Sequence, residues 1–415
     1  MRWTFVVLPL AVFACSASGG DPSPSTPEGD AGGSTSSDAG TSAIPDGGAP
    51  AADAAPPMAD ASPTIDAAPA GTAVRVHYPA GTHHLALRGS GGPLNWTTGV
   101  ALTAGPNDTW TYSFGTLAMP LEIKPLLDDA TWSRGPNYKI TPGQTIDIYP
   151  HFSAVAGTYS RKWPSFTSTV LPSTRGIMVY LPPSYAENTL AKFPVVYMHD
   201  GQNLFDAGTA FGGNEWKVDE TMNAGAEDGT IREAIVIGVE NTADRINELT
   251  PTRDAGTGAG GKADLYLRMI VEEIKPMVDM ALRTLTTRDQ TAILGSSLGG
   301  LVSAYAGVQR ADTFGIVGAM SPSTWWDNTM ILGQVATMST KPSKPLRVYV
   351  DSGDSGASSD DVTNTRALAQ KFRDVGYVDA QTLDYLVQAG GQHNEIYWSQ
   401  RLPGALAFLL GPRTP

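Results

Sequence analysis

The rhythm of apolar and polar positions changes three times along the chain. Residues 5–14, FVVLPLAVFA, form one short apolar run behind Arg2, too brief to span a bilayer as a helix and read as part of a secretory leader over 1–15. Over 16–71 small residues, Pro and Gly surround isolated acids with no periodicity and no aromatic residue. Such a stretch buries too little apolar surface to offset the entropy of ordering it, so a disordered linker is expected. From Ala73 the segments AVRVHYP, HHLALRGS, TWTYSF, LEIKPLL and TIDIYPHF are short, rich in β-formers and separated by Gly, Pro and Asn. They predict a small antiparallel β-sandwich over 72–156. Beyond Trp163 apolar runs alternate with longer helical stretches. The strand candidates are Ile177–Leu181, Pro194–His199, Ala234–Val239, Thr291–Leu294, Gly315–Met320, Leu346–Asp351 and Thr382–Val387. Between them, Leu265, Leu267, Ile270, Ile274, Met277, Val278 and Leu282 recur with helical spacing. This order predicts a mostly parallel sheet over 163–415, helices on both faces, with ligand chemistry at the carboxyl ends of the strands.

Composition narrows the classes. The 415 residues carry 41 Asp+Glu against 28 Lys+Arg, a formal charge of −13, which argues against a nucleic-acid partner. Eight of those acids and no basic residue fall in 16–71, so more than half of the net charge belongs to the linker and says little about substrate. A linker of this composition is extended and reaches on the order of 100 Å. The single cysteine, Cys15, excludes an internal disulfide framework and a Cys-based zinc site. Val12-Phe13-Ala14-Cys15 resembles a bacterial lipoprotein box, which implies a lipidated Cys15 and an exported protein anchored to the cell envelope, on its periplasmic or surface side. Phe13 departs from the small residue usual there, and the alternative is an ordinary leader with an incidental thiol.

One junction carries chemistry. Thr291-Ala292-Ile293-Leu294 runs into Gly295-Ser296-Ser297-Leu298-Gly299-Gly300 and then a helical stretch. A G-x-S-x-G between a buried strand and a helix is a nucleophile elbow: the serine takes a strained turn, and glycines leave room for strand and helix to approach. Ser297 is the candidate nucleophile, and the Leu298 N–H faces the oxyanion that attack creates. A serine needs a base. His77, His83, His84 and His151 fall in or beside the sandwich, leaving His199 and His393. His393 follows the last strand candidate, and the order Ser, acid, His fits an α/β-hydrolase fold. The acid belongs after Leu346–Asp351, where Asp351, Asp354, Asp360 and Asp361 are available. Asp354, in the loop Ser352-Gly353-Asp354-Ser355-Gly356, is favoured, with Asp360 and Asp361 as alternatives.

Two resemblances add to this. Leu87-Arg88-Gly89, Pro93-Leu94-Asn95-Trp96, Trp110, Glu122-Ile123-Lys124, Trp132 and Gly135-Pro136-Asn137 resemble the starch-binding and glycogen-binding early-set, immunoglobulin-like sandwiches that precede many carbohydrate-active enzymes. That resemblance implies a polysaccharide partner of α-glucan type held on Trp96, Trp132 and Lys124; the alternative is that the tryptophans are core. Met178 to Tyr185, Pro194 to Phe205, the elbow, Ser321-Pro322-Ser323 with Trp325-Trp326, and Gly391-Gln392-His393-Asn394-Glu395 resemble the esterase family that includes enterochelin, feruloyl and acetyl-xylan esterases and mycolyltransferases. It implies an α/β-hydrolase fold and hydrolysis of a small-molecule or saccharide ester by a Ser-His-acid triad, without metal or cofactor. It also implies a second oxyanion donor at or near Gln202, and a structural or pocket-lining His199. Arg245 either binds an acidic substrate group or bridges to a glutamate such as Glu248, and Trp216, Trp325 and Trp326 line the acyl or sugar site or pack. The favoured substrate is a carbohydrate-linked ester. The alternatives are a siderophore ester of enterochelin type and an inert carbohydrate-binding lipoprotein.

Overall fold

The structure, a computed structural model, describes residues 71–338 and 345–412. The leader, the linker and the lipid anchor expected on Cys15 lie outside the described residues. Everything described belongs to one compact unit, Thr64–Pro415.

Two sheets face each other over residues 72–148. One runs, in spatial order, Thr103–Ala104, Thr109–Gly115, Thr72–His77 and Thr145–Ile148; the other places Leu121–Leu127 beside Leu85–Gly89, Thr131–Trp132 and Tyr138–Ile140, with Val100–Ala101 outside Leu85–Gly89. Period two explains the packing. Val74, Val76, Leu85, Leu87, Ile123, Ile140 and Ile148 close a shared core, while Arg75 on the other face of its strand pairs with Asp147 at 2.6 Å. The sandwich is not wholly antiparallel, because Thr72–His77 pairs parallel with Thr145–Ile148. Those strands are the first and last of the module, and everything between them serves as the crossover that parallel pairing requires.

The second part is built on an eight-stranded sheet. Its order is Thr158–Thr167, Thr174–Leu181, Ile235–Val239, Val195–His199, Thr291–Ser297, Ile316–Pro322, Arg347–Gly353 and Leu383–Gln388. The first two junctions are antiparallel and the other five parallel. The central strands are apolar on both sides because both sides are covered. Val195, Tyr197, Ile293 and Val350 face a core shared with the helices Leu298–Gln309 and Val362–Asp374. Val196, Met198, Leu294 and Tyr349 face Val218–Asp228 and Glu395–Leu410. The expected parallel sheet is therefore present, and it begins earlier than residue 163. Thr158–Thr167 forms its antiparallel edge, a strand exposed along most of its length and so without the alternation that marks a half-buried one. The helical stretch Ala263–Arg283 is realised as Ala263–Arg268, a π turn over Met269–Ile274 and Lys275–Ala281; Pro276, which has no N–H to donate, sits where the wider turn ends.

Candidate active site

The strand Thr291–Ser297 passes directly into the helix Leu298–Gln309. At the joint Ser297 holds φ 58° and ψ −124°, a backbone state that costs a non-glycine residue about 1–3 kcal/mol. Its surroundings enforce it. A Cβ on Gly295 would lie 2.7 Å from the His199 ring, and one on Gly300 would lie 2.7 Å from the Met320 carbonyl oxygen. His199 is the pillar under this turn: buried, it pairs Nδ1 with Tyr266 Oη at 2.8 Å and Nε2 with Ser303 Oγ at 3.1 Å. Burial pushes its pKa down to about 4, so it stays neutral and structural.

The acid beside His393 is Asp360. His393 Nδ1 lies 2.6 Å from Asp360 Oδ1, and Asp360 is fully buried. Its other oxygen accepts from Ser321 Oγ at 2.6 Å and from the Gly353 N–H. Burial raises the Asp360 pKa, but the hydrogen bonds from His393, Ser321 and Gly353 outweigh it and hold the carboxyl below its usual range. The preference for Asp354 is therefore corrected. Asp354 is exposed and accepts the Gly390 N–H at 2.7 Å, bracing the glycine turn ahead of His393, while the chain folds back over Ser359–Asp361 to bring Asp360 inward. Asp361 instead accepts the Trp325 N–H at 3.1 Å and Asn364 Nδ2 at 2.7 Å.

Ser297 Oγ takes Ser323 Oγ at 3.4 Å as its hydrogen-bond partner, and no hydrogen bond to His393 closes. The tripeptide Ser321-Pro322-Ser323 nevertheless ties the two ends of the set together, since Ser323 touches Ser297 and Ser321 touches Asp360. Ser323 escaped functional reading in the sequence, where only its place in that tripeptide marked it. Ser297, Ser321 and Gly353 all sit at the carboxyl ends of three neighbouring parallel strands.

The residues expected as oxyanion donors sit at two tight backbone turns. Leu298 opens its helix, and its N–H lies in the first turn, where no intrahelical carbonyl is available. Gln202 lies in the tight turn Gly201–Asn203, entered through Asp200 at φ 56°. A Cβ on Gly201 would meet Gly238 at 2.6 Å, so this turn too needs its glycine. Arg245 does not face outward for an anion. Its Nε and Nη2 bind both oxygens of Asp200 at 2.7 and 2.8 Å, and Asn241 adds a third bond at 2.6 Å. Burial raises the Asp200 pKa, and Arg245 together with Asn241 brings it below its usual value. Glu248 is bridged by Arg175, at 2.9 and 3.0 Å, rather than by Arg245.

The tryptophans divide. Trp216 is buried and packs on Trp398 at 5.6 Å, which in turn stands edge-on to His393 at 5.1 Å. Trp326 is buried and donates to the Thr252 carbonyl at 3.0 Å. Neither lines a site, because both fill core volume. Trp325 is 47% exposed. In the sandwich, Trp96 and Trp132 are 37% and 39% exposed with ring centres 6.2 Å apart, the Arg88 guanidinium lies 5.2 Å from the Trp132 ring, and Lys124 Nζ binds the Gly135 carbonyl. Ser297 is partly buried, and the His393 side chain is 34% exposed. Two cavities of about 440 Å³ lie elsewhere, one between Tyr149 and Lys192 and one at the opposite ends of the strands around Gly315 and Arg347.

The family model described as "Putative esterase" matches residues 168–409. The chain is similar to the "Uncharacterized protein YbbA" of Bacillus subtilis, 27% identical over 248 residues that cover 57% of this chain and 93% of that protein. It is similar to the "Siderophore enterobactin esterase" of Emericella nidulans, 36% identical over 74 residues, 18% of this chain and 24% of that protein. Among solved structures it is similar to a ferulic acid esterase, with 21% identity and a TM-score of 0.48 over 62% of this chain and 99% of that one.

Proposed function

Because the chain belongs to the esterase family, we propose that it is a serine carboxylic-ester hydrolase working through an acyl-enzyme on Ser297. The observation that carries this reading is the Asp360–His393 pair at 2.6 Å, joined through Ser321-Pro322-Ser323 to a serine held in a strained elbow. With Nδ1 occupied by Asp360, the imidazole presents Nε2 as the base. Ser297 Oγ leaves Ser323, hands its proton to Nε2 and attacks the ester carbonyl. The N–H groups of Leu298 and Gln202 receive the oxyanion. His393 then protonates the departing alcohol and activates the water that releases the acid. Trp325, exposed two residues beyond Ser323, lines the acyl side.

A carbohydrate-linked ester is the favoured substrate. The exposed Trp96–Trp132 pair offers flat indole faces of the kind that stack on sugar C–H surfaces, on a module we read as an immunoglobulin-like early-set sandwich with an α-glucan-type partner. Arg245, the cation that an anionic catecholate would want, is already bound to Asp200. A siderophore ester is the second reading, supported by the likeness to the enterobactin esterase. Lipidation of Cys15 would hold the enzyme at the cell envelope.

A fluorophosphonate probe tests the mechanism. It is expected to label the wild type and to leave Ser297→Ala unlabelled, whereas an unlabelled wild type would favour a binding protein with an inert hydrolase half. Turnover of acetylated or feruloylated saccharides, compared with that of a catecholate trilactone, tests the substrate; preference for the trilactone overturns the carbohydrate assignment.

A further inference from the structure

We propose that Arg401 is a positioning residue for the triad acid, acting through the hydroxyl of Ser321. The inference rests on the triad read above and adds to it a residue that touches neither nucleophile nor base. Arg401 lies on the helix Glu395–Leu410 with its side chain 2% exposed. Its three nitrogens each have a fixed acceptor: Nε binds Asp351 Oδ2 at 2.9 Å, Nη1 binds Gln388 Oε1 at 2.9 Å, and Nη2 binds Ser321 Oγ at 2.7 Å. Ser321 Oγ in turn lies 2.6 Å from Asp360 Oδ2. A guanidinium only donates and a carboxylate only accepts. The single hydroxyl proton of Ser321 is therefore forced onto Asp360, and the order of donation runs Arg401, Ser321, Asp360, with His393 on the far oxygen. Arg401 Nη2 itself lies 3.7 Å from Asp360 Oδ2, so its charge also favours the ionised acid directly.

Asp351 completes the device from below. It is fully buried and accepts the Ser321 N–H at 2.9 Å on one oxygen and Tyr349 Oη at 3.0 Å on the other, beside Arg401. Ser321, at φ 36°, is thus held at its N–H and at its hydroxyl by one ion pair. A buried Arg–Asp pair of this kind has a bland role as a staple between helix and strand. The two roles differ in one observable, the ionisation of the Asp360–His393 pair. The other titratable groups around that pair are Asp361 at the start of the neighbouring helix and Glu395 on the helix of Arg401, with Tyr349 and Asp351 on the strand beneath; none of them is altered in the variants below.

The readout is the pH dependence of the second-order rate of fluorophosphonate labelling, which needs no knowledge of the natural ester. Arg401→Met removes a cation, which makes protons on Asp360 and His393 harder to lose, so the acid limb is expected to move upward by on the order of one pH unit and the neutral-pH rate to fall about 10- to 100-fold. Arg401→Lys restores the charge without the three-way fork, and its limb is expected to return toward the wild-type position. Ser321→Ala leaves the Arg401–Asp351 staple intact but removes the hydroxyl, and an upward shift is expected there too. A folded Ser321→Ala or Arg401→Met with the wild-type acid limb overturns the relay and leaves the triad standing. If Arg401→Met does not fold, Ser321→Ala decides alone. A wild type that the probe does not label overturns the triad and the relay together.

Discussion

A carboxylate taken fully out of water stays ionised only if its lone pairs are filled, and Asp360 has His393 on one oxygen and Ser321 with the Gly353 N–H on the other. Its depressed pKa makes this a stability statement as well. The contribution is present above the ordinary carboxylate range and is lost as pH falls through the lower folded value. Asp360→Asn should keep the shape but reverse the donor at His393 Nδ1, lowering kcat by about 10³- to 10⁴-fold. Asp354→Asn, which keeps an acceptor for Gly390, should cost less than about tenfold. Steady-state kinetics on any accepted ester compares the two. Ser297 and His393 could be read in the sequence because a glycine-framed elbow and a post-strand histidine have local signatures. The acid could not, because what selects Asp360 is three successive left-handed residues, Ser359 to Asp361 at φ 47°, 48° and 51°. None is a glycine, so no residue type announces the turn.

At the scale of elements the site depends on how closely two chain segments approach. The end of the strand Arg347–Gly353 passes so near the histidine loop that a Cβ on Gly353 would collide with the Gly391 carbonyl. Gly353→Ala is expected to displace that loop, lowering stability by about 1–3 kcal/mol and kcat by at least about tenfold. Chemical denaturation and initial rates measure the two effects, and a variant unchanged in both would show the loop to be yielding. The central strands were legible within about three residues at either end, since strands buried on both faces read as unbroken apolar runs. In three of them the carboxyl end lies beyond the expected one. Gly295-Ser296-Ser297, Ser321-Pro322 and Ser352-Gly353 continue their strands in residues that look like loop, and those polar extensions are the site.

Over the whole molecule, the sandwich and the hydrolase part are joined by polar bonds that neither sequence pattern announces. Glu187 accepts Tyr78 Oη at 2.9 Å and the N–H groups of Phe152 and Ser153 at 2.7 and 2.8 Å. Asn188 donates to the carbonyls of His77 and Pro150 at 2.9 and 2.8 Å. Burial raises the Glu187 pKa, but the bonds from Ser153, Phe152 and Tyr78 bring it below its usual value. Glu187→Gln should therefore destabilise the protein by about 1–3 kcal/mol near neutrality, at the low end because the group is only partly buried. The difference from wild type should shrink as pH falls through the carboxylate range. Melting temperatures of both proteins measured from about pH 7 to about pH 3 check it; a constant gap would deny the carboxylate its role. The change of apolar pattern beyond Trp163 marks the second part, whereas the strand Thr158–Thr167 ahead of it carries no such pattern because it is a solvent-facing edge.

The partly exposed imidazole and half-open serine bear on the acyl-enzyme proposed above. In the mechanism proposed above, an acyl group on Ser297 would sit at the half-open carboxyl ends of the strands, within reach of bulk water. The lifetime of that intermediate would then be set by His393. Any alcohol that is to intercept it must be held in place by contacts of its own, so the acyl group partitions toward the free acid unless a bound acceptor competes.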